Sequence, residues 1–159
     1  MSMVGFSPLG LKILFVCTGN ICRSPMAEVI FANLCKKNGL ANVVVRGTGT
    51  HAYSGEPMTD EACEALRCCG EKVGKTPHQS TLWREDMLDE FDHIVCMTKS
   101  HARYIDPEKK CCNVYTLDSV AGCGDIMDPW SYPLETYIDV CKQLQSALEI
   151  LYNLICKTS

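Results

Sequence analysis

The chain lacks any run of about 20 uncharged apolar residues, the length that a membrane-spanning helix requires. Its first residues, MSMVGFSPLG, have neither the basic region nor the long apolar region of a secretory signal peptide. We interpret residues 1–10 as a flexible extension and predict a cytoplasmic protein without a membrane partner.

An excess of positive charge is also missing. The chain has 15 Lys and Arg residues against 19 Asp and Glu residues, which gives a formal net charge of −4. A surface that binds nucleic acid needs a basic patch to neutralise the phosphates. We therefore expect no nucleic-acid partner.

Cysteine is abundant, but its spacing favours neither a zinc site nor a disulfide framework. None of the 12 cysteines forms a Cys-x-x-Cys pair, the common spacing of zinc sites, and disulfide frameworks belong mainly to short secreted chains. We expect neither a metal nor another cofactor. Several cysteines lie in apolar patterns, where a free thiol behaves as a small hydrophobic group: Cys35, Cys63, Cys96, Cys141 and Cys156.

Hydrophobic patterning predicts alternating strands and helices. Apolar or β-branched runs predict strands at 11–16, 42–46, 93–97 and 113–117. Helical spacing of apolar residues predicts helices at 24–37, 59–69, 84–89 and 134–156, with irregular segments at 47–57, 70–82 and 118–132. This alternation is typical of a parallel sheet that carries helices on both faces. We predict a single α/β domain over residues 11–157, built on an open four-stranded parallel sheet.

The segment VCTGNICRSPMAE joins the first predicted strand to the first predicted helix. Ser24 is a favoured N-cap and Pro25 is favoured at the first helical position, so the loop should run from Cys17 to Arg23. The backbone N–H groups of such a loop and the positive helix end can converge on an anion. The segment therefore predicts a phosphate-binding loop whose binding residues are Thr18, Gly19, Asn20, Ile21, Cys22 and Ser24.

Cys17 and Arg23 are the chemically active residues of this loop. Arg23 offers a planar fork of donors that suits phosphate oxygens, and it stays charged. The same positive field favours the thiolate form of Cys17, which is a nucleophile. A thiolate inside a phosphate-binding loop predicts covalent phosphoryl transfer.

These residues carry a resemblance to a known family. CTGNICRSPMAE resembles the signature loop of the low-molecular-weight protein tyrosine phosphatases, and Asp128-Pro129-Trp130 resembles that family's Asp-Pro-aromatic segment. The resemblance extends from about Leu11 to Ile155. It implies that phosphotyrosine-containing proteins are the substrates and that Cys17 forms a phosphocysteine. It also implies that Arg23 binds the phosphate, that Asp128 is the general acid and base, and that inorganic phosphate is the product.

The general acid and the pocket walls are argued from position together with this resemblance. Asp128 lies in the long segment after the fourth predicted strand, where Pro129 would stiffen the backbone, and Asp125 is the alternative acid. Tyr53 and Trp130 are the expected aromatic walls, which would stack on the ring of phosphotyrosine.

The resemblance also implies supporting roles. Asn20 would brace the loop, Ser24 would hydrogen-bond the sulfur of Cys17, and His78 would brace structure near the loop. Cys22 would form a disulfide with Cys17, which protects the nucleophile from irreversible oxidation.

Two other activities stay open. One branch of the family dephosphorylates arginine and has Thr where this chain has Ile21; an apolar Ile21 favours an aryl ring and therefore phosphotyrosine. A thioredoxin-coupled arsenate reductase uses a related loop but needs two further cysteines on a mobile segment. Here Cys96 and the pair Cys111-Cys112 are 15 or more residues apart, which disfavours that activity.

Overall fold

A four-stranded parallel sheet forms the centre of the protein. The computed structural model describes residues 10–157, so the predicted N-terminal extension lies outside the described residues apart from Gly10. The strands are β1 (Leu11–Cys17), β2 (Val43–Gly49), β3 (His93–Cys96) and β4 (Val114–Thr116), in the order β2-β1-β3-β4. Every pairing between them is parallel, which confirms the predicted sheet.

Six helices among the described residues flank the sheet. They are α1 (Arg23–Lys37), α2 (Asp60–Cys68), α3 (Met87–Glu90), α4 (Lys99–Ile105), α5 (Leu117–Ala121) and α6 (Leu134–Cys156). Between residues 10 and 157, no helix combines the length and the apolar character that a membrane span requires.

The central strand β1 contributes to two hydrophobic cores. Ile13 and Phe15 pack in the larger core, which contains residues of α1, α2 and α6. Leu14 and Val16 pack on the opposite face, with residues of α3 and α4. Because β1 is buried on both faces, it needs the almost continuous apolar run that the sequence shows, which only Lys12 interrupts.

Two short helices differ from the sequence-based expectation. The apolar pattern predicts no helix at Lys99–Ile105, and the start of the segment predicted as irregular, 118–132, belongs to α5. Helices of 7 and 5 residues are too short to show a clear apolar periodicity. Their N-caps are a usable sequence signal, because the hydroxyls of Thr98 and Thr116 accept hydrogen bonds from the backbone three residues later.

Strand β2 is longer than predicted. The sequence pattern predicts its end at Arg46 and a loop at Gly47–Gly49, because glycine weakens strands. The structure pairs Gly49 with Cys17 of β1 and continues the ladder to that point. A Cβ atom at Gly49 would lie 2.4 Å from the carbonyl oxygen of Thr18, so this strand end needs glycine for close packing against the neighbouring loop.

The other predicted boundaries differ by smaller amounts. α6 has the predicted bounds, whereas α2 excludes Thr59 and Cys69, which cap its two ends. α3 covers Met87–Glu90 rather than 84–89, and β3 and β4 are one or two residues shorter than predicted. Element ends depend on cap geometry, which apolar spacing alone does not define.

Candidate active site

A cleft of about 320 Å³ opens at the carboxyl edge of the sheet. Cys17 ends β1, His51 and Tyr53 follow β2, and Asp128 follows α5. This is the edge at which open α/β sheets bind ligands. The cleft is lined by Cys17, Thr18, Gly19, Ile21, Cys22, Arg23, His51, Tyr53, Glu56, Asp128 and Trp130.

Cys17 lines this cleft and is only 2% exposed. The Ser24 hydroxyl is 2.9 Å from the sulfur, and the backbone N–H of Asn20 donates to it at 3.3 Å. When Cys17 is ionised, the Ser24 hydroxyl also donates, so two hydrogen bonds stabilise a thiolate at this position.

Ser24 is not the N-cap of α1. The helix begins at Arg23, its N-cap is Cys22, and no side chain hydrogen-bonds the cap. The Ser24 hydroxyl instead faces the loop, where it contacts the sulfur of Cys17 and accepts from the Asn20 amide at 2.7 Å. The expected capping role is therefore wrong, and the residue lies in the first turn of the helix.

Hydrogen bonds of the buried residue Asn20 brace the 17–23 loop. Its φ of 57° is left-handed, a conformation that Asn tolerates better than most residues. Its side-chain oxygen accepts from the Thr81 backbone at 2.9 Å, and its carbonyl oxygen accepts from His78 at 2.7 Å. Burial lowers the pKa of His78 and favours its neutral ring. Asn20 and Ser24 have no exposed surface, so they brace the loop and do not line the cleft.

Arg23 is fixed at the side of the cleft and is only 5% exposed. Its Nη1 donates to the carbonyl oxygen of Ile126 at 3.0 Å, and its Nη2 donates to the hydroxyl of Thr18 at 3.3 Å. The same Nη2 lies 3.5 Å from a carboxylate oxygen of Asp128. These contacts orient the guanidinium before any ligand arrives, and the group retains further donors.

The two candidate acids lie in different surroundings. Asp128 lines the cleft, and its second oxygen accepts from the backbone N–H of Trp130 at 3.1 Å. Asp125 does not line the cleft, and its carboxylate accepts from the backbone N–H of Lys99 at 3.0 Å. The geometry therefore favours Asp128 as the acid that reaches a ligand.

Apolar and aromatic side chains lie around the mouth of the cleft. Tyr53 is 81% exposed and Trp130 is 58% exposed, and both line the cleft together with Ile21. Apolar side chains that are exposed together around one cleft, rather than scattered singly, are typical of a ligand-binding surface. They are placed to contact a group that enters the cleft.

A comparison with protein families matches residues 12–158 to the low molecular weight phosphotyrosine protein phosphatases. The chain belongs to this family. Members of this family are hydrolases, and the predicted fold and family are both confirmed.

The relatives include both kinds of protein phosphatase. The chain is 36% identical over 151 residues to a protein-arginine-phosphatase of Bacillus subtilis, and the match covers 92% of this chain and 95% of the relative. It is 32% identical over 156 residues to the low molecular weight protein-tyrosine-phosphatase YfkJ of the same organism, and that match covers 92% and 97%.

Solved structures agree on the fold. A low molecular weight protein tyrosine phosphatase from T. tengcongensis superposes with a TM-score of 0.82 at 32% identity, and the match covers 91% of this chain and 99% of that one. A Cys-to-Ser variant of the arginine phosphatase YwlE, with a phosphorylated active-site serine, gives a TM-score of 0.83 at 32% identity. That match covers 93% of this chain and 97% of the variant.

The sequence motifs assign no role to two residues that line the cleft. His51 and Glu56 follow β2, in a segment that carries no recognisable motif. The ring of His51 packs on Tyr104 with centroids 5.0 Å apart. The position of both residues just beyond a strand end at the binding edge is the signal that could have found them.

Cys22 lies in the same cleft as Cys17, and its thiol is engaged elsewhere. The Cys22 sulfur is 3.5 Å from the Tyr137 hydroxyl and 3.7 Å from that of Thr59. Burial raises the pKa of this thiol. The expected disulfide with Cys17 stays a prediction.

No third cysteine among the described residues lines the cleft. Cys96 is fully buried at the end of β3, where burial raises its pKa to about 12. Cys112 is exposed, and both it and Cys111 lie along a different surface depression. This arrangement does not favour the thiol relay that an arsenate reductase of this type requires.

Proposed function

We propose that this protein is a protein-tyrosine phosphatase that acts through a phosphocysteine intermediate. The observation that carries the proposal is that Cys17 lines one cleft together with Arg23 and Asp128, whose side chains lie 3.5 Å apart. These three residues supply a nucleophile, a fixed cation and a carboxyl group within one cleft.

In the first step, the thiolate of Cys17 attacks phosphorus and a sulfur–phosphorus bond forms. The bond between phosphorus and the tyrosyl oxygen breaks, and Asp128 gives its proton to the leaving phenolate. Arg23 and the backbone N–H groups of the 17–23 loop stabilise the charge on the phosphoryl oxygens during this in-line displacement.

In the second step, water attacks phosphorus and the sulfur–phosphorus bond breaks. Asp128, now a carboxylate, takes the proton from that water, and inorganic phosphate is released. The sulfur leaves as a thiolate, which the hydrogen bonds from Ser24 and the Asn20 N–H stabilise. The phosphorylated serine in the variant of the arginine phosphatase YwlE supports a covalent intermediate.

The lining of the cleft supports phosphotyrosine as the substrate. Ile21, Tyr53 and Trp130 present apolar and aromatic surface to the entering side chain. Aromatic rings gain from stacking on one another beyond the area that they bury. We infer that the substrates are phosphotyrosine-containing proteins of the cytoplasm.

A protein-arginine phosphatase is the second candidate, and Glu56 is the observation that favours it. This carboxylate lines the same cleft as Asp128, and a phosphorylated guanidinium carries positive charge that two carboxylates would attract. Two of the relatives, at 36% and 33% identity, are protein-arginine-phosphatases.

Substituting Ile21 separates the two candidates. Ile21→Thr should shift the ratio of kcat/KM values from phosphotyrosine towards phosphoarginine peptides by about tenfold, the size of one pocket contact. The matched control is Ile21→Val, since valine has the shape of threonine without its hydroxyl. The measurement is kcat/KM on both peptides for all three proteins.

The parent protein should hydrolyse the phosphotyrosine peptide with the higher kcat/KM. A preference for phosphoarginine in the parent would instead establish the second candidate. Equal losses on both substrates in Ile21→Thr and Ile21→Val would show that residue 21 only supports the loop.

A further inference from the structure

A buried histidine lies behind the 17–23 loop and has no part in the two steps above. His101 on α4 is only 5% exposed. Its Nε2 is 2.8 Å from the hydroxyl oxygen of Thr18, and its Nδ1 is 2.9 Å from that of Thr98. Both ring nitrogens are therefore committed to hydroxyl groups, one of which belongs to the loop.

The Thr18 hydroxyl links this ring to the cation of the site. Its oxygen accepts from Nη2 of Arg23 at 3.3 Å, while Nη1 of Arg23 is held by the carbonyl of Ile126. The Thr18 residue is exposed, so without His101 its hydroxyl could rotate in solvent. The imidazole fixes the direction in which this hydroxyl presents its lone pairs.

The ring is held in its neutral form. Burial first, and the charge of Arg23 second, lower the pKa of His101 to about 4, against the smaller opposing effects of Asp125 and Asp128. His51 also faces the ring and acts in the same direction as Arg23. With the ring proton on Nδ1, which then donates to Thr98, the Thr18 hydroxyl donates to Nε2. Both of its lone pairs then face Arg23 and solvent.

We propose that His101 is a positioning residue that orients Arg23 through the hydroxyl of Thr18. The inference rests on the proposed function, in which Arg23 binds the phosphoryl group. A guanidinium that is held at both Nη1 and Nη2 keeps its plane fixed before the substrate arrives, which reduces the ordering cost of binding. Small displacements of such groups have large effects on phosphoryl transfer.

Two substitutions of His101 separate positioning from general stability. The amide of Asn reaches the position of Nδ1 and keeps the contact with Thr98, whereas the amide of Gln reaches the position of Nε2 and keeps the contact with Thr18. His101→Asn should raise the Ki of inorganic phosphate about tenfold, the loss expected for one hydrogen bond to a charged group. His101→Gln should keep the Ki close to that of the parent.

Substituting Thr18, the exposed residue whose hydroxyl contacts His101, gives a second measurement. The single variant Thr18→Val does not depend on the folding of His101 variants. Thr18→Val should raise the Ki of inorganic phosphate by a similar factor, and adding His101→Asn to it should cause no further increase. Full additivity in this double-mutant cycle would overturn the inference, as would equal Ki values for His101→Asn and His101→Gln.

A reference variant keeps the inference distinct from the proposed function. Arg23→Lys removes the planar fork and should weaken phosphate binding more than any variant of His101 does. If Arg23→Lys left the Ki of inorganic phosphate unchanged, the role of Arg23 in the proposed function would be wrong. If Arg23→Lys weakened binding and His101→Asn did not, only the positioning role would be wrong.

Discussion

Asp128 acts twice in the proposed mechanism, first as an acid and then as a base, and its position allows a direct test. Asp128→Ala should lower kcat/KM, which reports only the first step, about 10²–10⁴-fold on phosphotyrosine, whose phenolate is a poor leaving group. The loss on p-nitrophenyl phosphate should be far smaller, because that leaving group needs little protonation. The measurement is kcat/KM on both substrates, because kcat also includes hydrolysis of the phosphocysteine, which is the same for both.

Asp125→Ala is the matched control, because it removes a neighbouring carboxylate that accepts from Lys99 and lies outside the cleft. It should affect both substrates little. Equal losses on the two substrates for Asp128→Ala would remove Asp128 from the acid role, and a selective loss on phosphotyrosine in Asp125→Ala would assign that role to Asp125.

The second thiol of the cleft is tested by oxidation. Peroxide converts the Cys17 thiolate to a sulfenic acid, and the thiol of Cys22 can then form a disulfide with release of water. Inactivation by mild peroxide should therefore be reversed by dithiothreitol in the parent and much less completely in Cys22→Ser. The measurement is the fraction of activity that returns.

Cys63→Ser provides the control for this experiment, since Cys63 is a partly exposed thiol on α2 that does not line the cleft. It should recover as the parent does. Recovery that is the same in Cys22→Ser and Cys63→Ser would remove the protective role of Cys22.

At the residue scale, the sequence predicts the site well where its chemistry is concentrated in a short motif. Cys17 and Arg23 lie in one short segment between a predicted strand and a predicted helix, and this context together with their spacing indicates an anion site. Glu56 and His101 cannot be found in that way, because their relation to the site depends on how separate strand ends and helices meet in space.

Among the secondary-structure elements, β2 shapes the 17–23 loop, because its last residue, Gly49, packs closely against that loop. A Cβ atom at Gly49 would lie 2.4 Å from the Thr18 carbonyl oxygen and 2.9 Å from the Asn20 nitrogen. Gly49→Ala should therefore lower the free energy of unfolding by about 1–3 kcal/mol and weaken phosphate binding. Urea unfolding and the Ki of inorganic phosphate measure the two effects.

Gly74→Ala is the matched control, because an added Cβ there would meet no atom within 4 Å. It should leave phosphate binding unchanged. If Gly49→Ala were as stable as Gly74→Ala and bound phosphate as tightly as the parent, close packing at the strand end would not shape the loop.

The sequence predicts the bounds of long helices and strands better than those of short ones. β1 and α6 have long apolar patterns, and their predicted bounds agree with the structure within one residue. α4 and α5 are short helices whose stability depends on a threonine cap and on contact with the sheet. Such helices have too little periodicity of their own to be recognised.

Two ionisable groups, the half-buried Glu28 and the buried His101, give the whole molecule an unusual response to acid. Burial raises the pKa of Glu28 to about 7 from its ordinary 4.5, so the folded protein binds an extra proton between these values. The stabilisation that this proton gives the folded state is fully present below pH 4.5 and is lost as the pH rises through 7. His101 acts in the opposite sense: its contribution is present above pH 6.5 and is lost as the pH falls towards 4.

Removing Glu28 and removing His101 should therefore change the pH dependence of the free energy of unfolding in opposite directions. Between pH 6.5 and 4.5, Glu28→Gln should make the free energy of unfolding fall more steeply on acidification, by up to about 1.4 kcal/mol per pH unit. His101→Gln should make the fall shallower by a similar amount. Urea unfolding at several pH values measures these slopes, and slopes equal to that of the parent would contradict the assigned protonation states.

The long-range bonds of the 17–23 loop have a consequence for the protein during its synthesis. The nucleophile leaves the ribosome early, yet Asn20 needs the backbone of Thr81, and Arg23 needs the carbonyl of Ile126, 103 residues later. A nascent chain that ends before residue 126 cannot complete this guanidinium anchor. Under the proposed mechanism, which uses this anchored guanidinium, catalytic competence therefore arrives late in translation.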